Sequence, residues 1–131
     1  MIRILYAYSN GEPCDIAGTP AELRQIKKSI LDLVEAGQGS VRIIADSQDD
    51  PKPYDKSLSE LSILIGEGPT RVTLGDGGVL SVIGSAECLE GLASFFEFPD
   101  DTDSLNHCHY EYYEGNKWID SKSLPLVIGI K

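Results

Sequence analysis

The sequence predicts an α+β fold: two helices packed on a mixed, largely antiparallel sheet, in the order β-α-β-β-β-β-α-β-β. Three observations predict it. Segments 19–36 and 85–98 each carry a capping residue followed by an apolar stripe at three- and four-residue spacing. Short β-branched runs surround them, punctuated by Gly, Pro, Asn and Asp. Asp76-Gly77 between two apolar runs is a hairpin signal, because both residues tolerate the positive φ of a tight turn. At 131 residues the chain is one domain, long enough to bury a sizeable core without staples.

The elements follow in order. "IRILYAY" (2–8) is a β-branched and aromatic run, hence a strand, and "SNGEPCDIAG" (9–18) is rich in turn formers, hence a loop. In the first helix Thr19 is the N-cap, Pro20 takes the first helical position and Glu22 completes a capping box. Leu23, Ile26, Ile30, Leu33 and Val34 form its stripe, and Gly37 ends it. "SVRIIAD" (40–46) is a strand and 47–57 a polar loop. Strands 58–65, 71–75 and 78–84 are separated by "GEGP" and "DGG" turns and are expected to form an antiparallel meander. Ser85 caps the second helix, Leu89, Leu92, Ala93 and Phe96 form its stripe, and Pro99 stops it. An acidic loop at 100–104, a strand at 106–113, a loop and a last apolar strand at 124–130 complete the chain. "GTPAEL" and "GSAECL" open the two helices alike, which reads either as a duplicated β-α-β unit or as two ordinary helix starts.

Charge narrows the function classes. There are 21 acidic residues against 11 basic, a net charge of −10. Residues 1–56 hold 9 acids and 7 bases, and residues 57–131 hold 12 acids and 4 bases, so the C-terminal half carries −8. Such a field repels nucleic acid and anionic membrane and steers basic partners. No apolar run reaches the length of a membrane span, and the N-terminal stretch lacks the pattern of a signal peptide. A cytoplasmic protein is expected. Cys14, Cys88 and Cys108 are odd in number and widely spaced, as free reduced thiols would be.

"HCHYEYYEG" (107–115) is the most chemically loaded stretch, with both histidines of the chain. On a strand, alternation places His107, His109, Glu111 and Tyr113 on one face and Cys108, Tyr110 and Tyr112 on the other. The second set is the more apolar and is expected to face the helices. The first set supplies ligand types for zinc, iron or manganese. His107-x-His109 with Glu111 or Glu114 is therefore the alternative reading, a small metal-binding protein or metal-dependent enzyme. The spacing up to Glu114 is similar to the first metal motif of cupins, but the flanking glycines and the second histidine-bearing strand of that motif are missing. A Cys108–His pair is disfavoured because its histidine neighbours point to the opposite face. No GxSxG, P-loop, GxGxxG, CxxC or HExxH occurs, so no positive case for catalysis or for a cofactor arises.

The stretches "GSAECLEGLASFFEF", "HCHYEYYEGNKWI" and "SKSLPLVIGI" resemble the small immunity proteins of bacterial polymorphic toxin systems, nearest to the immunity protein 32 family. The likeness covers residues 82–130 best. It places His107, His109, Glu111 and Tyr112 in the characteristic strand, and Ser123, Leu124 and Pro125 in the terminal motif. It implies an α+β cytosolic protein that binds and neutralises a cognate toxin domain, with no catalysis and no cofactor. The charge makes that partner a basic domain. The expected contact surface is His107, His109, Glu111 and Tyr113 together with the adjacent acids Asp100, Asp101 and Asp103.

Overall fold

The computed structural model describes residues 1–8, 12–48 and 50–131. Its elements are β1 (Arg3–Tyr6), β2 (Cys14–Gly18), α1 (Pro20–Ala36), β3 (Ser40–Ile44), β4 (Lys56–Leu58), β5 (Glu60–Ile65), β6 (Arg71–Leu74), β7 (Val79–Gly84), α2 (Ala86–Ala93), β8 (His107–Tyr110) and β9 (Leu126–Ile130). The class is α+β, as expected. Among the described residues the strands form two sheets, ordered β4-β1-β2-β9-β8 and β3-β5-β7-β6. The expectation of a single sheet is corrected at Ser59, where the chain crosses between them. Leu58 pairs with Ile4 in one sheet and Glu60 pairs with Ile44 in the other. Ser59 itself donates its N–H to the Gly78 carbonyl and accepts from Ala45, so the corner leaves no orphan backbone group.

Both helices form as their sequences dictate. Thr19 Oγ1 accepts from Glu22 N at 3.1 Å while Thr19 N donates to Glu22 Oε1 at 2.9 Å, a reciprocal capping box. Gly37 closes α1 at φ 75°, a left-handed conformation a side chain resists, and donates to the carbonyls of Leu33 and Val34. Ser85 Oγ accepts from Cys88 N to start α2, which gives way at Ser94–Phe96 to a single 3-10 turn. Leu23, Ile26, Ile30, Leu33, Leu89, Leu92 and Phe96 are all buried. They join Ile4, Ile16 and Ile128 of one sheet and Leu61, Ile63, Leu80 and Val82 of the other in a single apolar core. No helix is long and apolar enough to cross a membrane.

Three further expectations need correction. Residues 14–18, read as loop, are β2, an interior strand pairing antiparallel with β1 and parallel with β9. The turn formers that precede it hide the strand, and its small residues Ala17 and Gly18 carry no alternation signal. Residues 9–11 of that expected loop, and residue 49 of the expected loop 47–57, lie outside the described residues. The meander is also half right. β6 and β7 form the Asp76-Gly77 hairpin, with Gly77 at φ 72° and Gly78 at φ 81°. β5, however, pairs with β7 in parallel, leaving β6 at the edge. The last correction is β8, which stops at Tyr110 where its pairing with β9 ends at Leu126. Glu111, Tyr112 and Tyr113 therefore leave the sheet, and Tyr112 is solvent-exposed instead of facing the helices.

Leu92 is 1% exposed at the centre of the core, so Leu92→Ala is expected to cost about 2–5 kcal/mol in chemical denaturation. A loss below about 0.5 kcal/mol would place it outside the core. Gly129 faces His107 across the β8–β9 ladder, and a Cβ there would meet His107 Cβ at 2.9 Å and the Asn106 carbonyl at 3.0 Å. Gly129→Ala is expected to cost about 1–3 kcal/mol and to raise amide exchange in β8 first. Unchanged protection of His109 and Tyr110 amides would refute that close contact.

Candidate functional site

Pairing with β9 orients β8. His107 and His109 point away from the core, Tyr110 points into it, and Cys108 packs partly buried against it. The two imidazoles meet edge to face, with centroids 5.2 Å apart. His107 Nδ1 donates to the Leu105 carbonyl at 3.1 Å, which assigns the proton to that nitrogen. Glu111 does not continue the ligand row, because the strand has ended. Among the described residues no three His, Cys, Asp or Glu side chains gather as a metal site would need.

His109 instead borders a cleft of about 660 Å³ between β8, α2 and the 111–119 segment. The α2 wall is made by Glu87, Glu90, Gly91 and Ser94. Their three- and four-residue spacing puts all four on the helix stripe opposite Leu89, Leu92 and Phe96. The far wall is Glu111, Tyr113, Asn116 and Trp118. Cys88, Phe95, Tyr110 and Ile119 line it with less polar surface. The far wall is held in place from below. Thr70 bridges to Ile119, taking its N–H to the Trp118 carbonyl and its carbonyl to the Asp120 N–H, both at 2.9 Å. Asn116 Oδ1 accepts from Trp118 N at 2.8 Å, and Gly115 turns the chain at φ 90°.

Tyr110 is 3% exposed, and its ring meets Phe95 edge to face at 5.0 Å. Burial pushes its phenol up to about 12, while the neighbouring Thr70 hydroxyl pulls the other way. The two hydroxyls lie close without completing a hydrogen bond, so both are buried and unpartnered. Lys117 Nζ stands over the Trp118 ring, 5.1 Å from its centroid. Burial pushes Cys14 up to about 12 and raises Cys108, whose Sγ donates to the Phe95 carbonyl at 3.2 Å.

The structure divides the expected contact residues. His109, Glu111 and Tyr113 share the cleft. His107 lines a separate cavity of about 280 Å³ with Arg3 and Asp15, and Asp103 lies on the loop 103–106 beyond it. Asp100 pairs with Arg24 of α1 and Asp101 is exposed, so only part of the acidic loop is free. Sequence reasoning missed Glu87, Glu90 and Trp118. The polar stripe of the second helix carried the first two, whereas nothing in the sequence marks how the 111–119 segment folds back toward that helix.

The His107 cavity holds a second observation. Asp15, half-buried on the outer face of β2, receives a hydrogen bond from the Tyr54 hydroxyl at 3.3 Å. Burial raises its carboxyl above the usual range, and Tyr54, Arg3 and His107 each pull it back without cancelling the rise. A raised folded-state pKa favours the folded chain at low pH and loses that contribution as pH rises through it. Asp15→Asn is therefore expected to be more stable than the parent at pH 7, by a margin that shrinks toward pH 3. Denaturation midpoints of both chains across that range check it, and a margin that grows on acidification contradicts it.

Comparison of the chain with protein-family models, with curated proteins and with solved structures finds no match in any of the three.

Proposed function

We propose that this chain is a non-catalytic binding protein of the cytoplasm, an immunity or inhibitor protein that neutralises a cognate basic toxin domain. The observation that carries the reading is the cleft between α2 and the 111–119 segment, which gathers Glu87, Glu90 and Glu111 beside Tyr113 and Trp118. Open, acidic and aromatic, it is the kind of concavity that anchors a cationic partner. It also contains seven residues of the 107–119 stretch that carries the likeness to toxin-immunity proteins, among them His109, Glu111 and Tyr113. The charge asymmetry supports it too. The half of the chain that supplies every residue lining the cleft carries −8, which favours encounter with a basic domain. No cofactor enters this reading.

Co-expression in bacterial cells of this chain with a toxin domain encoded beside it is expected to restore growth. Absence of any such neighbour, or unrelieved toxicity, would sink the proposal. Kinetics with the purified toxin locate the electrostatics. Asp101→Lys with Asp103→Lys leaves the Arg24–Asp100 pair intact, and is expected to slow association roughly threefold to tenfold at low salt. That effect should fade by about 0.5 M salt with little change in dissociation. An effect that persists at high salt would mean these aspartates lie inside the contact and not at its rim.

A further inference from the structure

We infer that the cleft is an arginine socket: it seats one guanidinium group of the partner between the Glu87 and Glu90 carboxylates and the Trp118 ring, with Glu111 at its mouth. This deepens the binding-protein reading above and rests on it for the source of the arginine.

Three features converge on a cation of that shape. First, among the described residues none of Glu87, Glu90 and Glu111 makes an ion pair, although Glu22, Asp32, Glu60, Glu97 and Asp100 all do. Glu87 and Glu90 stand three apart on α2, where like charges destabilise a helix. A cation placed between them removes that repulsion. Second, Trp118 is 41% exposed and lines the cleft, whereas Lys117, whose Nζ stands over the ring, is not part of that lining. The ring surface is therefore placed where a positive charge can use it. Third, the cleft wall behind the acids is apolar, with Cys88, Phe95 and Ile119, and suits the methylene stem of a long side chain.

Guanidinium fits this set better than ammonium. It is planar, so it stacks on an indole face while its edge still donates to carboxylates. It has five N–H donors in a fixed fork, enough to serve two glutamates together. An ammonium is a compact, strongly hydrated charge that cannot do both at once.

The single tryptophan of the chain is the reporter. The full chain is titrated with butylguanidinium at low ionic strength and Trp118 emission is followed. A saturable change with a Kd of roughly 1–10 mM is expected, the range open to a ligand of this size. Butylurea, a neutral isostere, is expected to give no saturable change, and butylammonium is expected to bind at least threefold more weakly. Glu87→Gln with Glu90→Gln should raise the butylguanidinium Kd at least tenfold while circular dichroism stays unchanged. Equal binding of butylurea would show an apolar groove only, and equal binding of butylammonium would remove the guanidinium preference. An unaltered Kd in the double variant would remove the two glutamates. Each of these overturns the assignment. The two readings also fail separately. A double variant that neutralises the toxin domain as well as the parent removes the socket and leaves the immunity reading. Butylguanidinium binding as expected, in a chain that relieves no toxin, does the reverse.

Discussion

The site depends on one backbone arrangement, the insertion of β9 between β2 and β8. Among the described residues β9 is the sole strand partner of β8, so it alone decides which way His107, His109 and Tyr110 point. It pairs in parallel with β2, and parallel partners are laid down by a long crossover, here most of the chain. β2 is therefore interior, and Cys14 and Ile16 from it join Leu126 and Ile128 of β9 in the core. The close approach also requires a small residue. Gly129 stands where a Cβ would collide with His107, so the strand carrying the histidines can lie flat against its neighbour.

The second anchor lies between β6 and the segment entering β9. Val72 donates to Ser123 Oγ at 2.8 Å and accepts from Leu124 N at 2.9 Å, and Thr70 bridges Ile119. These bonds tie the end of one sheet to the approach of the other. They also fix Trp118 opposite α2. The cleft is thus bounded by the edge strand β8 and by a segment that backbone pairing with Thr70 holds in place. That is the arrangement a preorganised binding surface needs, because little remains to be ordered when a partner arrives.

Local chemistry was legible in the sequence wherever it was sufficient. Thr19-Pro20 with Glu22, Ser85, Gly37 and the Asp76-Gly77 turn each specify their own geometry within a few residues, and the helices and hairpin sit where those signals put them. The alternation of His107, Cys108, His109 and Tyr110 was legible for the same reason. Non-local decisions were not. That β2 is a strand depends on β1 and β9 closing on either side, which a stretch as small as Cys14-Asp15-Ile16-Ala17-Gly18 does not announce. That Glu111 and Tyr113 leave the sheet depends on where β9 begins. The crossing between sheets at Ser59 follows from pairings with residues on either side of it in space, Gly78 and Ala45, and no local pattern encodes it. The cleft is a product of those long-range choices. Its residues were visible singly while their company was not.

The two helices treat their charges differently. On α1 every basic side chain is engaged: Arg24 with Asp100, Lys27 with Glu97 at 2.9 Å, Lys28 with Asp32 at 2.8 Å. Two of those pairs reach the segment that follows α2, so they clip the helix pair together at its outer edge. Exposed pairs of this kind are worth little individually, but they leave α1 electrically quiet. The segment Ala86–Ala93 contains no basic residue at all. Its outward stripe bears Glu87 and Glu90 beside a glycine and a serine, groups that add charge and subtract bulk. Glu87 and Glu90 thus lack, among the described residues, the ion-pair partners that the basic residues of α1 have, and it is this unpaired charge that the proposed arginine would meet.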